Sequence, residues 1–376
     1  MIRNFALAAL VAAGLGVTAA SAETIKLGNV AELSGSGATV GKAWTDAITM
    51  GVEEINAAGG VLGNQLELSS YDSQTDAQTS RALVQKAIDD GAFLILGTVY
   101  SGSTIVNMLV TQQQGIPQIV GSEAPAITQK GNPFIFRSSF GAHKSMPKIA
   151  DYLKNGLGVS KVAVSWVNNE FGKGGHDAFV KEVTDRGIEV VADVSSEVAQ
   201  ADFAADVAKL KGSGAEAIFV YLHEEESARI LRELNKQGVD VPIVGETTLL
   251  NQKVVELAGE AANGIMGHVG LTVDAPNPEI QEFGKRFSEK YGYKADHNAM
   301  KGYVAIYAAK TAIERAGELD RQKVADTLHS MTVKVSEVPN ILLDVSWDET
   351  GEVSRESFLV EIQDGKSVVK DTLPAN

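Results

Sequence analysis

Phe93–Val120 reads FLILGTVYSGSTIVNMLVTQQQGIPQIV. Two short apolar runs, Phe93–Gly97 and Ile116–Val120, show no alternation of apolar and polar residues. That is the pattern of strands buried on both faces. Ser103–Gln114 between them reads as a helix, and Val99–Thr104 forms a polar turn at the first strand's exit. The same alternation continues outward. Upstream come a strand at Thr24–Val30, a helix at Ala38–Ala58, a strand at Leu66–Tyr71 and a helix at Ala77–Asp90. Ile48, Val52 and Ile55 share one face of the first helix, and Gly59-Gly60 stops it. Downstream the pattern starts again near residue 143. Strands are expected at Lys161–Val167, Ile188–Val194, Ala217–Leu222 and Val241–Gly245, with helices between them. Residues 278–330 read as helix-rich, and Ile341–Val345 and Ser357–Ile362 as strands. The expectation is an α/β fold of two doubly wound parallel-sheet lobes. No Pro/Ser/Gly-rich linker separates them, so they dock closely with several chain crossings. The ligand cleft then lies between the lobes, beyond the strand C-terminal ends.

The 376 residues carry a formal net charge of -15 and no Cys. A thiolate metal site, a Cys nucleophile and a disulfide scaffold are therefore excluded. The acidic balance argues against nucleic acid as a partner and against a polybasic membrane patch. The amino terminus has the three parts of an export signal: Arg3, the apolar run Phe5–Ala20, and Ala20-Ser21-Ala22 as cleavage site. The apolar run falls short of the ~20 residues that span a bilayer. The expected mature protein begins after Ala22 and is periplasmic, with no lipid-attachment Cys.

Sites of chemistry are few. Ser34–Lys42 looks like a phosphate loop but fails its spacing, and Ala43 follows the Lys. The six His residues show no metal-ligand spacing. No nucleophile elbow is present. No cofactor, no metal and no enzymatic activity are expected. The turn Tyr100–Ser103 is more informative. Hydroxyls and free N–H groups at a helix start can cap that helix or seat a carboxylate. Ser122 and Glu123 follow the next strand, so they would lie beside it. Across the cleft the corresponding turns hold Asn168–Gly172 with Phe171, Leu222–Glu226 with His223, and Glu246 directly after a strand. Glu224–Glu226 read first as acidic decoration of a helix N-terminus.

Several of these stretches resemble the periplasmic solute-binding proteins of the branched-chain amino acid transport family. They are Leu33-Ser34-Gly35, Glu54–Gly63 (EINAAGGVLG), Tyr71-Asp72-Ser73, Gly115-Ile116-Pro117, Phe171-Gly172 and Trp347–Gly351. The resemblance spans essentially the whole mature chain. It implies two lobes joined by three hinge crossings, residues 23–142 with 271–347 and residues 143–270 with 348–376. It also implies closure on a ligand and delivery to an inner-membrane ABC permease, by a monomer. The turns at Ser101 and Ser122 match positions that hold an α-carboxylate. Glu246, or its neighbour Thr247, matches the acidic position that holds an α-ammonium. Phe171 and His223 match aromatic walls. Tyr100, Ser101, Ser103, Ser122, Glu123, Phe171, His223 and Glu246 are thus the candidate ligand-binding residues. Val40 stands where the family often has an aromatic, Asn298 near an apolar position, and Glu123 adds a carboxylate that would repel a ligand anion unless paired. The pocket reads as more polar than Leu or Val requires. The expected ligand is a small amino acid or amino-acid-like solute. A binder of amides, polyamines or aromatic acids, and a ligand sensor for a membrane receptor, are the alternatives.

Overall fold

The strand Thr24–Ala31 (β1) pairs in parallel with β2 (Gln65–Asp72) on one side and β3 (Leu94–Leu96) on the other. The structure, a computed structural model, describes residues 23–375, and the expected export signal at 1–22 lies outside the described residues. β4 (Gln118–Val120) and β5 (Ile135–Arg137) complete a five-stranded parallel sheet in the order β2-β1-β3-β4-β5. Its crossovers include the helices α1 (Ala38–Ala57), α2 (Ala77–Asp89) and α3 (Ser101–Gln114). α3 begins two residues before the expected Ser103, so Ser101 is its first residue.

The second sheet follows α4 (Ala142–Asp151). It is built from β6 (Lys161–Val167), α5 (Glu170–Asp185), β7 (Glu189–Ser196), α6 (Ala204–Gly212), β8 (Ala217–Tyr221), α7 (Glu224–Lys236), β9 (Ile243–Gly245), α8 (Gln252–Ala258) and β10 (Met266–Val269). These strands run parallel in the order β7-β6-β8-β9-β10.

The chain then returns to the first lobe with α9 (Pro278–Tyr291), α10 (His297–Ala316) and α11 (Arg321–Leu328). A small antiparallel sheet of β11 (Thr332–Val333), β12 (Val345–Trp347) and β13 (Val353–Ser354) follows and lies against β5. The hairpin β14 (Ser357–Gln363) and β15 (Lys366–Leu373) finally adds an antiparallel edge beside β10. The fold is two α/β lobes with parallel-sheet cores, and the chain passes between them three times, after β5, β10 and β13. The break expected at 347/348 falls inside the small sheet, because Trp347 pairs with Val353. The strand expected at Ile341–Val345 is a turn instead. Pro339–Ile341 is a 3-10 segment, and Leu342 takes a φ of 71° that no strand allows. β15 was not foreseen.

Two features position the cleft. α10 lies against α1 at a distance only glycine permits. A Cβ on Gly302 would stand 2.5 Å from the Trp44 carbonyl oxygen, and one on Gly51 2.5 Å from Ile306 Cγ2. The crossings themselves are tied by buried charge. Arg137 Nε meets Glu352 Oε2 at 2.9 Å, Glu352 Oε1 accepts from Gly141 N at 2.9 Å, and Arg355 donates to the Ser138 carbonyl at 3.0 Å. Among the described residues no helix is long and apolar enough to cross a membrane, and no acidic or His cluster could hold a metal ion.

Candidate functional site

A small cavity of about 30 Å³, partly open to solvent, lies where strand ends from both sheets face each other. The first lobe supplies Val99, Tyr100 and Ser101 after β3, and Gly121 and Glu123 after β4. The second supplies Phe171 after β6, His223 and Glu224 after β8, and Thr248 after β9. α1 adds Val40, and the first two turns of α10 add His297, Asn298 and Lys301. Of the expected residues, the wall contains Tyr100, Ser101, Glu123, Phe171 and His223. Ser103, Ser122 and Glu246 are buried off it.

The β3–α3 turn is set by backbone bonds. Tyr100 is the N-cap of α3 but its side chain makes no capping bond, so the N–H groups of the first helical turn lack intrahelical partners. Ser101 Oγ accepts from Ala124 N at 3.2 Å and Glu123 N at 3.4 Å. Its own proton remains available to a ligand oxygen. Together with the positive end of the helix, this is an arrangement able to seat an anion. Glu32, absent from the sequence-based candidates, accepts from Tyr100 N at 3.1 Å and fixes the turn from behind. Burial lifts it to about 7, against those same bonds. Ser122 is spent on structure: its hydroxyl donates to the Thr98 carbonyl at 2.8 Å and also pairs with Thr104.

Glu123 is paired. Lys301 Nζ lies 2.5 Å from Glu123 Oε1 and 3.3 Å from the Gly121 carbonyl oxygen, with the lysine 4% exposed. Burial raises Glu123, and Lys301 is the largest opposing influence. Lys301 escaped the sequence reading. Its signal was a single charged residue between His297 and Lys310, in a helix otherwise of Ala, Tyr, Val, Ile, Met, Gly and Asn there. Glu224 is the first residue of α7 and is 8% exposed. Burial pushes its carboxyl up to about 7, with Asp296 adding to the rise.

Aromatic rings bridge the lobes. Tyr100 stacks on His223 with centroids 4.6 Å apart, His223 on Phe171 at 5.0 Å, and Phe171 on Tyr221 at 4.2 Å. Asn169 sets this ladder. Its Oδ1 caps α5 through Gly172 N at 2.9 Å, and its Nδ2 donates to His223 Nε2 at 2.8 Å. An accepting Nε2 keeps the imidazole neutral, in line with the lowering of His223 by burial. Glu246 does not line the cavity and lies behind Glu123. It contacts Thr247 at 2.7 Å and His268 at 3.1 Å.

Comparison with known proteins agrees with this fold. The family model described as periplasmic binding protein matches residues 24–367. The chain is 28% identical over 354 residues to the leucine-, isoleucine-, valine-, threonine- and alanine-binding protein of Pseudomonas aeruginosa, covering 94% of this chain and 93% of that one. A branched-chain amino acid transporter substrate binding protein from Streptococcus pneumoniae, solved with isoleucine, superposes with a TM-score of 0.84 at 23% identity, covering 94% and 99% of the two chains. An R. palustris ABC transporter solute binding protein, solved with benzoate, gives 0.86 at 22% identity, covering 94% and 97%.

Proposed function

Because the chain belongs to the periplasmic binding protein family, as the solute-binding component of an ABC transporter and not an enzyme, we propose that it captures a small organic carboxylate, an amino acid or an analogue of one. The observation that carries this reading is the anion seat at the start of α3. There the Ser101 hydroxyl and the N–H groups of the first turn of α3 line the same cavity as Lys301, whose ammonium neutralises Glu123. The rings of Tyr100, His223 and Phe171 receive the rest of the solute. The lobes are residues 23–142 with 271 to about 354, and residues 143–270 with the C-terminal hairpin. Each contributes part of the wall, so a ligand gains its full contacts only when they close. The leader at 1–22 directs the protein to the periplasm, where it hands the solute to an inner-membrane permease as a monomer.

A thermal-shift screen of the mature chain tests this against amino acids, organic acids, amides and polyamines. Ligand at 100 times its Kd stabilises by about 2.7 kcal/mol. Shifts are expected with carboxylates only. Shifts confined to amines or amides would overturn the reading.

The curated relative named for amino acids and the benzoate-bound structure mark two ligand kinds on one fold. The stacked rings and the lysine on the wall favour the second kind, an acid without an ammonium group.

A further inference from the structure

We infer that Lys301 is a built-in substitute for a ligand's ammonium group, so that the cleft selects an organic carboxylate lacking an α-amino group. The inference rests on the carboxylate reading above and names the class of carboxylate.

An α-amino acid brings its cation one carbon from its anion. A pocket that takes both ends must offer acceptors beside the anion seat. Here those acceptors stand where β4 ends, next to the β3–α3 turn: the Gly121 carbonyl and the Glu123 carboxylate. Both are occupied by Lys301 Nζ, at 3.3 Å and 2.5 Å. The lysine is held on these acceptors from a buried setting. It sits in the second turn of a helix buried almost all round and is itself 4% exposed. A ligand ammonium entering there would meet a like charge and find its acceptors taken. A ligand carboxylate would meet a Glu123 already neutralised by Lys301 and could accept the third N–H of an ammonium that is already ordered.

The other acidic groups do not restore an ammonium site at that place. Glu246 is off the wall and bound to Thr247 and His268. Glu32 is engaged by the Val99 and Tyr100 N–H groups. Glu224 enters from the opposite lobe, and burial favours its neutral form. The remainder of the acid lies against Tyr100, His223 and Phe171, whose faces accept an aromatic or branched hydrocarbon.

Titration calorimetry with matched pairs tests the inference on the mature protein: 3-phenylpropanoate against phenylalanine, phenylacetate against phenylglycine, and 4-methylpentanoate against leucine. The acid without the amine is expected to bind at least about 10-fold more tightly in the pair that fits. Lys301→Met should weaken that acid by at least about 10-fold and raise the amino acid's relative affinity, because Glu123 and the Gly121 carbonyl are freed. The double variant Glu123→Gln/Lys301→Met leaves no buried charge unpaired, so it guards against misfolding of the single one. It should lose the acid affinity without gaining the amino acid. Equal or tighter binding of the amino acid by the native protein would overturn the inference and leave the carboxylate reading standing. Binding of simple amines with no acid bound in any pair would overturn both.

Discussion

His268 Nδ1 lies 3.1 Å from Glu246 Oε1, with both side chains sealed from solvent. The contact is not an ion pair, because burial keeps the imidazole neutral. Burial drives His268 down to about 3 and Glu246 up to about 7. Glu246 Oε2 and His268 Nε2 have no partner, and a proton on Nδ1 leaves Nε2 a bare acceptor rather than a buried orphan donor. Glu32 and Glu224 are likewise raised to about 7. Each of these carboxyls holds its proton more tightly folded than unfolded. The stability they confer is full below the ordinary value of 4.5 and is lost as pH rises through about 7. His268 works in the opposite direction, but only below its ordinary value of 6.5. Above that pH the carboxyls dominate, so urea stability of the ligand-free protein should fall between about pH 6.5 and 8. Glu246→Gln should remove about 1 kcal/mol of that fall, because most of what a rise from 4.5 to about 7 confers is already lost below about pH 6.5. Lys301, Glu123 and Thr247 are the other groups bearing on Glu246, and all remain in the variant. An unchanged slope would place the titration elsewhere.

The Tyr100–His223 stack crosses from one lobe to the other. His223→Ala should therefore weaken ligand binding by about 2- to 10-fold, the worth of one aromatic contact. Most of the loss should appear in the dissociation rate, since the contact forms on closure. Stopped-flow fluorescence separates the two rates. A loss confined to association would contradict the closing role.

Much of this architecture is legible in the chain because buried parallel strands announce themselves as short apolar runs, as at 94–96 and 217–221. In a doubly wound sheet the turn after each such run faces the cleft, so Tyr100, Ser101, Glu123, Phe171 and His223 could be placed from sequence. The misses have separate physical causes. Ser122 occupies such a turn, but its hydroxyl rotates inward to the Thr98 carbonyl, and sequence does not show a rotamer. Lys301 reaches the cleft only because α10 packs on α1, a contact between segments about 250 residues apart in the chain. β15 is an edge strand of mostly half-buried and exposed residues, without the apolar signal of the others. Ile341–Val345 carries that signal but is bent by Pro339 and Leu342.

Gly175 is where α5 passes over Tyr221. A Cβ there would stand 2.1 Å from Tyr221 Cε1, and Tyr221 is held between Phe171 and Phe219. Gly175→Ala should cost about 1–3 kcal/mol in urea unfolding. It should also weaken ligand binding, because the displaced ring pushes Phe171 on the cleft wall. Gly212→Ala, at the end of α6 with nothing within 4 Å of its Cβ, is the control. It should be neutral or stabilising by up to about 1 kcal/mol.

Arg137 links the hinge to the anion seat. Its guanidinium, fully buried, pairs with Glu352 at 2.9 Å and donates to the carbonyls of Ala124, at 2.6 Å, and Ser122. It thereby clamps the turn that carries Glu123. Glu352 adds Thr128 Oγ1 at 2.8 Å and Gly141 N at 2.9 Å, so one carboxylate joins the first and third crossings. Glu352→Ala strands the arginine charge in the interior and should cost about 3–5 kcal/mol of stability. Glu352→Gln keeps the shape and one acceptor oxygen and should cost less. In that milder variant, saturating ligand should recover part of the lost thermal stability. Its affinity should also fall, since the 122–124 turn loses the anchor that holds Glu123 against Lys301. Native affinity in a destabilised Glu352→Gln protein would show that the hinge clamp and the ligand seat are independent.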